Sequence, residues 1–204
     1  MFNRLAADAL GLSDIGKIIG PSDYNKVESD DYIFHEDNEK IFFLIKSKSD
    51  EYCFTDRALI HVDGQSAMSK KRNLKRYSYY LNNISNVSLE TAGTVDLDVE
   101  IKFTIGQEMF SIDVDKNQLE QLKDLYKALT SISSIQRENR LNLEDSQKSL
   151  QLAANSIANI RPDTTQLGME FKNINEYAFS WMVNNRELFT RKDFSEVFEK
   201  YINN

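Results

Sequence analysis

Leu97, Val99, Ile101, Phe103 and Ile105 are separated by Asp98, Glu100, Lys102 and Thr104, so apolar and polar residues alternate strictly across this stretch. Successive side chains of an extended strand point to opposite faces, so the pattern predicts a strand with one face in a core and one in water. Gly106-Gln107 provides a two-residue link, and Phe110, Ile112 and Val114 repeat the alternation on the return. A lone hairpin is marginal in water, so further strands or a helix must cover its apolar face. Candidates precede it: Ile41–Ile45, Tyr52–Thr55, Ala58–Val62, Arg76–Leu81 and Ile84–Glu90, joined by Asp56-Arg57, Asp63-Gly64 and Asn82-Asn83. Together they predict seven antiparallel strands in a sandwich or open barrel.

The flanks read as helix. Phe2, Leu5, Ala6, Ala9 and Leu10 follow helical spacing ahead of Gly11. Asp115 is a fitting N-cap for a helix carrying Leu119, Leu122, Leu125, Tyr126 and Leu129, which would cap the β unit. Residues 130–139 are either a link or a continuation of that helix. Leu143, Leu150 and Ile157 recur every seven residues. Arg161-Pro162-Asp163 breaks the pattern, and Leu167, Phe171, Ile174, Ala178 and Trp181 then step by four and three, as in a helix–helix seam. A short last helix carries Phe194, Val197, Phe198 and Tyr201. The expected division is a β unit over 1–130 and a helical hairpin over 131–204.

Composition narrows the chemistry. The 204 residues include one cysteine and two histidines, which excludes a disulfide framework and a multi-cysteine zinc site. The longest apolar run, Ile41–Ile45, is far short of a membrane span. Asp8 follows Met1–Leu5 closely, which argues against a secretory signal, so a cytoplasmic location is expected, with a membrane-peripheral alternative. The formal charge of −7 disfavours general nucleic-acid binding. Lys70, Lys71, Arg72, Lys75 and Arg76 run against that balance, and with Lys46 and Lys48 they form a candidate patch for an anionic surface.

No reaction is announced. Gly11 to Lys17 has the spacing of a phosphate loop, but Ile18 stands where a Ser or Thr is needed and a helix rather than a strand precedes it. Asp96, Asp98 and Glu100 share a strand face, which reads first as a solvated edge and second as a cation site. Cys53, between Tyr52 and Phe54, reads as a buried thiol. No catalytic residue, metal site or cofactor is expected.

The segments Phe54-Thr55-Asp56-Arg57-Ala58-Leu59-Ile60-His61-Val62-Asp63-Gly64 and Glu90-Thr91-Ala92-Gly93-Thr94-Val95-Asp96-Leu97-Asp98-Val99-Glu100 closely resemble the bacterial pleckstrin-homology-like domain over roughly residues 1–130. The remainder resembles the helical hairpin of the YvbH-like subgroup, an oligomerisation region. The resemblance implies an α+β chain: a PH-like seven-stranded β-sandwich or barrel in two near-orthogonal sheets, capped by a C-terminal helix and followed by an α-helical hairpin. It also implies ring-like homo-oligomers and no enzymatic activity. Asp50-Glu51 fall where a phosphoinositide site would want further positive charge.

The expectation is therefore a non-enzymatic self-assembling interaction module, a homo-oligomer with a further protein partner open to it. The alternative is a peripheral membrane module that binds anionic lipid weakly through the turn at 70–76. The expected oligomer or partner interface is Leu167, Phe171, Ile174, Tyr177, Trp181, Phe194 and Phe198.

Overall fold

A computed structural model describes residues 14–64, 72–91, 98–157 and 167–202. The expected helix at 2–10, Lys70, Lys71, Asp96 and Pro162 lie outside the described residues. The chain forms two compact units: residues 1–133 with 192–204, and residues 134–191.

The first unit holds two antiparallel sheets. One has the order β1 (Lys17–Ile18), β2 (Ile41–Lys46), β3 (Asp50–Thr55), β4 (Ala58–Gly64) and β5 (Arg72–Ser78). The other has β6 (Ile84–Glu90), β7 (Asp98–Ile105) and β8 (Glu108–Asp115). Along β7 the expected alternation holds: Val99, Ile101, Phe103 and Ile105 are buried, while the residues between them are half-exposed, and Leu97 lies outside the described residues. Register pairs Ile101 with Ile112 and Phe103 with Phe110, so the inward faces of β7 and β8 coincide. Gly106 turns the hairpin at φ +62°, a conformation that costs glycine no Cβ clash. The Phe103 ring bridges the layers, stacked on Phe110 at 5.1 Å and tilted against Phe54 at 6.0 Å.

Two features depart from the expected seven strands. β5 starts at Arg72 and stops at Ser78, leaving Tyr79 to Leu81 in the turn. A two-residue strand, β1, adds an edge where the phosphate-loop spacing was noted, so that spacing ends in a strand rather than opening a helix. Beside it, Gly16 bridges β8: its N–H donates to the Asp113 carbonyl at 2.9 Å and its carbonyl accepts from Asp115 at 3.0 Å. The two sheets thus meet along one seam.

Helix α1 (Leu119–Ile157) follows a short turn in which the Asp115 carboxylate accepts the Asn117 N–H at 2.9 Å. It is continuous through 130–139, which settles that stretch as helix. Leu122, Leu125, Leu129 and Ile132, spaced three and four apart, are fully buried in the β unit. Beyond Ser133 the helix belongs to the second unit, with α2 (Leu167–Leu188).

The chain then returns to the first unit, which a single cut at residue 130 does not capture. The Phe194 N–H donates to the Asp56 carbonyl at 2.8 Å, and α3 (Ser195–Tyr201) follows. Phe194 and Phe198 are fully buried: Phe198 stacks on Phe42 at 5.3 Å, and Phe194 meets Tyr79 edge-on at 5.8 Å. Their expected place on an oligomer interface is corrected. Aromatic rings at i and i+4 on a short helix fill an apolar gap in their own β unit as readily as one in a neighbour.

Candidate functional site

Four residues of the expected basic patch, Lys46, Arg72, Lys75 and Arg76, each pair with a carboxylate of the same unit. Lys46 pairs with Glu51, whose buried carboxylate also accepts the backbone N–H groups of Glu28 at 3.1 Å and Ser29 at 2.8 Å. Arg72 pairs with Glu28 at 3.2 Å and Lys75 with Glu108 at 3.4 Å. Arg76 donates to Glu39 at 2.8 Å and lies over the Phe34 ring at 4.2 Å. Glu39 is buried and also accepts from Thr55 Oγ1 and from the Phe34 N–H at 2.9 Å. Burial alone would raise its pKa; the donors around it, led by Arg76, outweigh that and hold the carboxyl below its ordinary value.

Of the expected anionic-surface patch, Lys70 and Lys71 lie outside the described residues. Lys46, Lys48 and Arg72 line an open cavity of about 460 Å³, together with Glu28, Asp31 and Glu51. Arg72 and Arg76 share a face of β5, and Lys75 points the other way. Sequence reasoning noted Glu51 but missed the acidic counterparts Glu28, Glu39 and Glu108. No local spacing ties Arg76 to a carboxylate 37 residues away.

Of the carboxylate row, Glu100 is paired. Lys102 bonds Glu90 and Glu100, both at 2.9 Å, and Ser111 donates to Glu100. These donors hold the Glu100 carboxyl low. Across the strand pair, burial and the neighbouring Glu100 and Asp98 push Asp113 up. Among the described residues, no group of three His, Cys, Asp or Glu side chains could hold a metal ion. Cys53 is fully buried, and its burial pushes the thiol far above its ordinary pKa, the opposite of what a nucleophile requires. His61 stacks on Tyr52 at 4.6 Å and pairs with Asp50 at 3.3 Å.

The helical unit has a different character. On α2, Phe171 is 72% exposed, Ile174 48%, Tyr177 69% and Leu188 72%, while Ala178, Trp181 and Asn185 are half-buried. Met169, Phe179 and Met182 are exposed as well. On α1, Leu143 and Leu150 are half-buried and Leu152 is open. The side chain of Leu167 lies outside the described ones. Of the expected interface residues, Phe171, Ile174 and Tyr177 stand open on one helix with Trp181 half-covered beside them. Large apolar side chains left this open on one element mark a surface that a single copy does not bury. Among the described residues, no helix is long and apolar enough to cross a membrane.

Comparisons with known proteins match the chain in two segments. Residues 9–133 match the bacterial PH domain family model, and residues 144–204 match the YvbH-like oligomerisation region. The protein YvbH of Bacillus subtilis (strain 168) is 56% identical over 204 residues, covering all of both chains. YjqA of the same organism is 35% identical over 97 residues, which is 47% of this chain and 76% of that one. The crystal structure of a PH domain containing bacterial protein from Exiguobacterium sibiricum 255-15 superposes with a TM-score of 0.85 at 49% identity, covering 93% of this chain and 100% of that one. With two antiparallel sheets and a helical extension matched over nearly the whole chain, the protein belongs to the bacterial PH domain family, in its YvbH-like branch.

Proposed function

We propose that the chain is a non-enzymatic assembly module. Copies join through the helical unit into a closed, ring-like homo-oligomer, and each β unit serves as a platform held by that assembly. The observation that carries this reading is the open apolar stripe of α2, centred on Phe171, Ile174 and Tyr177, inside the segment that matches an oligomerisation region. Burial of apolar surface contributes about 25 cal/mol per Å² before association costs are subtracted, so such a stripe favours association. A non-enzymatic role fits a β unit whose thiol is fully buried and whose Glu39, Glu51 and Glu100 are engaged by internal donors.

The test is mass in solution by light scattering for the full chain and for the double variant Phe171→Asp, Ile174→Asp. The expected result is a defined multiple of the subunit mass for the parent chain and a fall toward one subunit for the variant, with its β unit still folded. A variant that keeps the full mass would place the contacts on the β unit. The lipid reading is less favoured, because Arg72, Lys75, Arg76 and Lys46 already face carboxylates.

A further inference from the structure

Resting on that reading, we propose that Asn185 sets the register in which a second copy of this chain packs on α2. Phe171, Ile174, Ala178, Trp181, Asn185 and Leu188 step by three and four along one side of the helix. Asn185 is the polar member of this seam. Its amide N–H donates to the Trp181 carbonyl one turn back at 2.8 Å, which fixes the half-buried side chain against its own helix within the seam. On α1 a matching heptad series runs Asn139, Leu143, Ser146, Leu150, and its first member is also a half-buried asparagine. Asn139 and Asn185 both lie toward the end of the unit where the chain enters and leaves it. The opposite end carries Leu152, Phe171 and Ile174, all exposed.

The size of the stripe makes its alignment matter. Phe171, Ile174, Tyr177, Met182 and Leu188 are between 40% and 72% exposed. At about 200 Å² for each large side chain, they offer roughly 600 Å² per copy, or roughly 1,200 Å² for two. That is the lower edge of a stable specific interface. A slide of one heptad would uncover one or two of the five and drop the contact below that edge. It would also lay an apolar residue over the Asn185 amide, and an unpaired buried amide is costly. A single asparagine in an otherwise apolar seam thus penalises the shifted alignments and leaves one favoured.

The experiment is size-exclusion chromatography with light scattering on the full chain and on Asn185→Leu and Asn185→Gln. The expected outcome is one mass for the parent and for Asn185→Gln, and at least one additional species, differing by a subunit or more, for Asn185→Leu. Leucine is also the better helix former, so Asn185→Leu should unfold several degrees higher. Asn185→Leu running as the parent's single mass at every concentration would overturn the proposal while leaving assembly through α2 standing. So would an Asn185→Gln variant as heterogeneous as Asn185→Leu. A parent chain that is monomeric throughout would overturn both.

Discussion

The ring of Phe198 lies stacked on that of Phe42, with centroids 5.3 Å apart and planes 15° apart. Phe42 sits on β2, early in the β unit, and Phe198 on α3, near the end of the chain, so the last helix is part of the core that the first strands build. Both ends of the helical unit therefore run into the first unit, through α1 on one side and the 192–202 return on the other.

Replacing Phe198 by Ala is expected to destabilise the β unit by about 3–5 kcal/mol, the range for emptying a buried aromatic site. Tyr79, tilted against Phe198 at 6.3 Å, would lose packing at the same time. Urea unfolding followed by tryptophan-independent far-UV signal measures this. A loss of assembly with unchanged β-unit stability would return Phe198 to the surface.

Glu39 predicts an acid limb in the stability curve. Its folded pKa lies below the ordinary 4.5 because Arg76, Thr55 and the Phe34 N–H outweigh its burial. A group with a depressed folded pKa stabilises the fold fully above its unfolded value, and that contribution disappears as pH falls through the folded one. Stability should thus decline below about pH 4.5. Glu39→Gln should flatten that decline and, by leaving Arg76 half-buried without its anion, cost roughly 2–4 kcal/mol at neutral pH. Unfolding midpoints of both proteins between pH 3 and 7 check it; parallel curves would show that other carboxylates govern the limb.

Much of this was legible in the residues because it is local. The alternation on β7 and β8, the Gly106 turn, the Asp115 cap and the apolar stripe of α1 each follow from a few neighbouring positions. The three-and-four spacing of Phe171, Ile174, Ala178 and Trp181 along α2 is equally local. What the residues do not reveal is long-range. β1 is only two residues long and owes its existence to Ile45 and Lys46 beside it. Phe194 and Phe198 have a pattern that suits a core and an interface equally, and only the path of the chain back to Tyr79 and Asp56 decides between them. The basic turn looked like a free patch because its acidic partners Glu28, Glu39 and Glu108 come from distant segments.

Those partners also predict little attachment to anionic vesicles. A basic residue near an anionic surface contributes about 1 kcal/mol, but Arg72, Lys75 and Arg76 must first leave their carboxylates. Flotation with anionic and neutral vesicles at physiological salt should show no more than a small difference, abolished by added salt. Strong binding that survives high salt would mean that a different surface carries it.

The seam between the two sheets gives the last prediction. Gly16 approaches β8 so closely that an added Cβ would lie 2.7 Å from Ile45 Cγ2 and 2.8 Å from the Asp113 carbonyl oxygen. The carbonyl belongs to a paired strand and cannot yield without breaking the Gly16–Asp113 and Asp115–Gly16 hydrogen bonds. Two residues on, the Gln118 carboxamide closes the same seam, accepting from the Ile18 N–H at 2.7 Å and donating to the Ile18 carbonyl at 3.1 Å, much as a neighbouring strand would. Gly16→Ala should therefore cost about 1–3 kcal/mol, in the range for forcing extra volume into a packed site. The loss should be local first: amide hydrogen exchange of Gly16, Ile18 and Asp115 should quicken, while the central strands β3 and β4 keep their protection. Gln118→Leu should quicken Ile18 alone, because it removes the partner of that residue and leaves the Gly16 bridge in place. If Gly16→Ala instead left all three amides as protected as before, the backbone at the seam would have room to shift, and the contact between β1 and β8 would not need glycine.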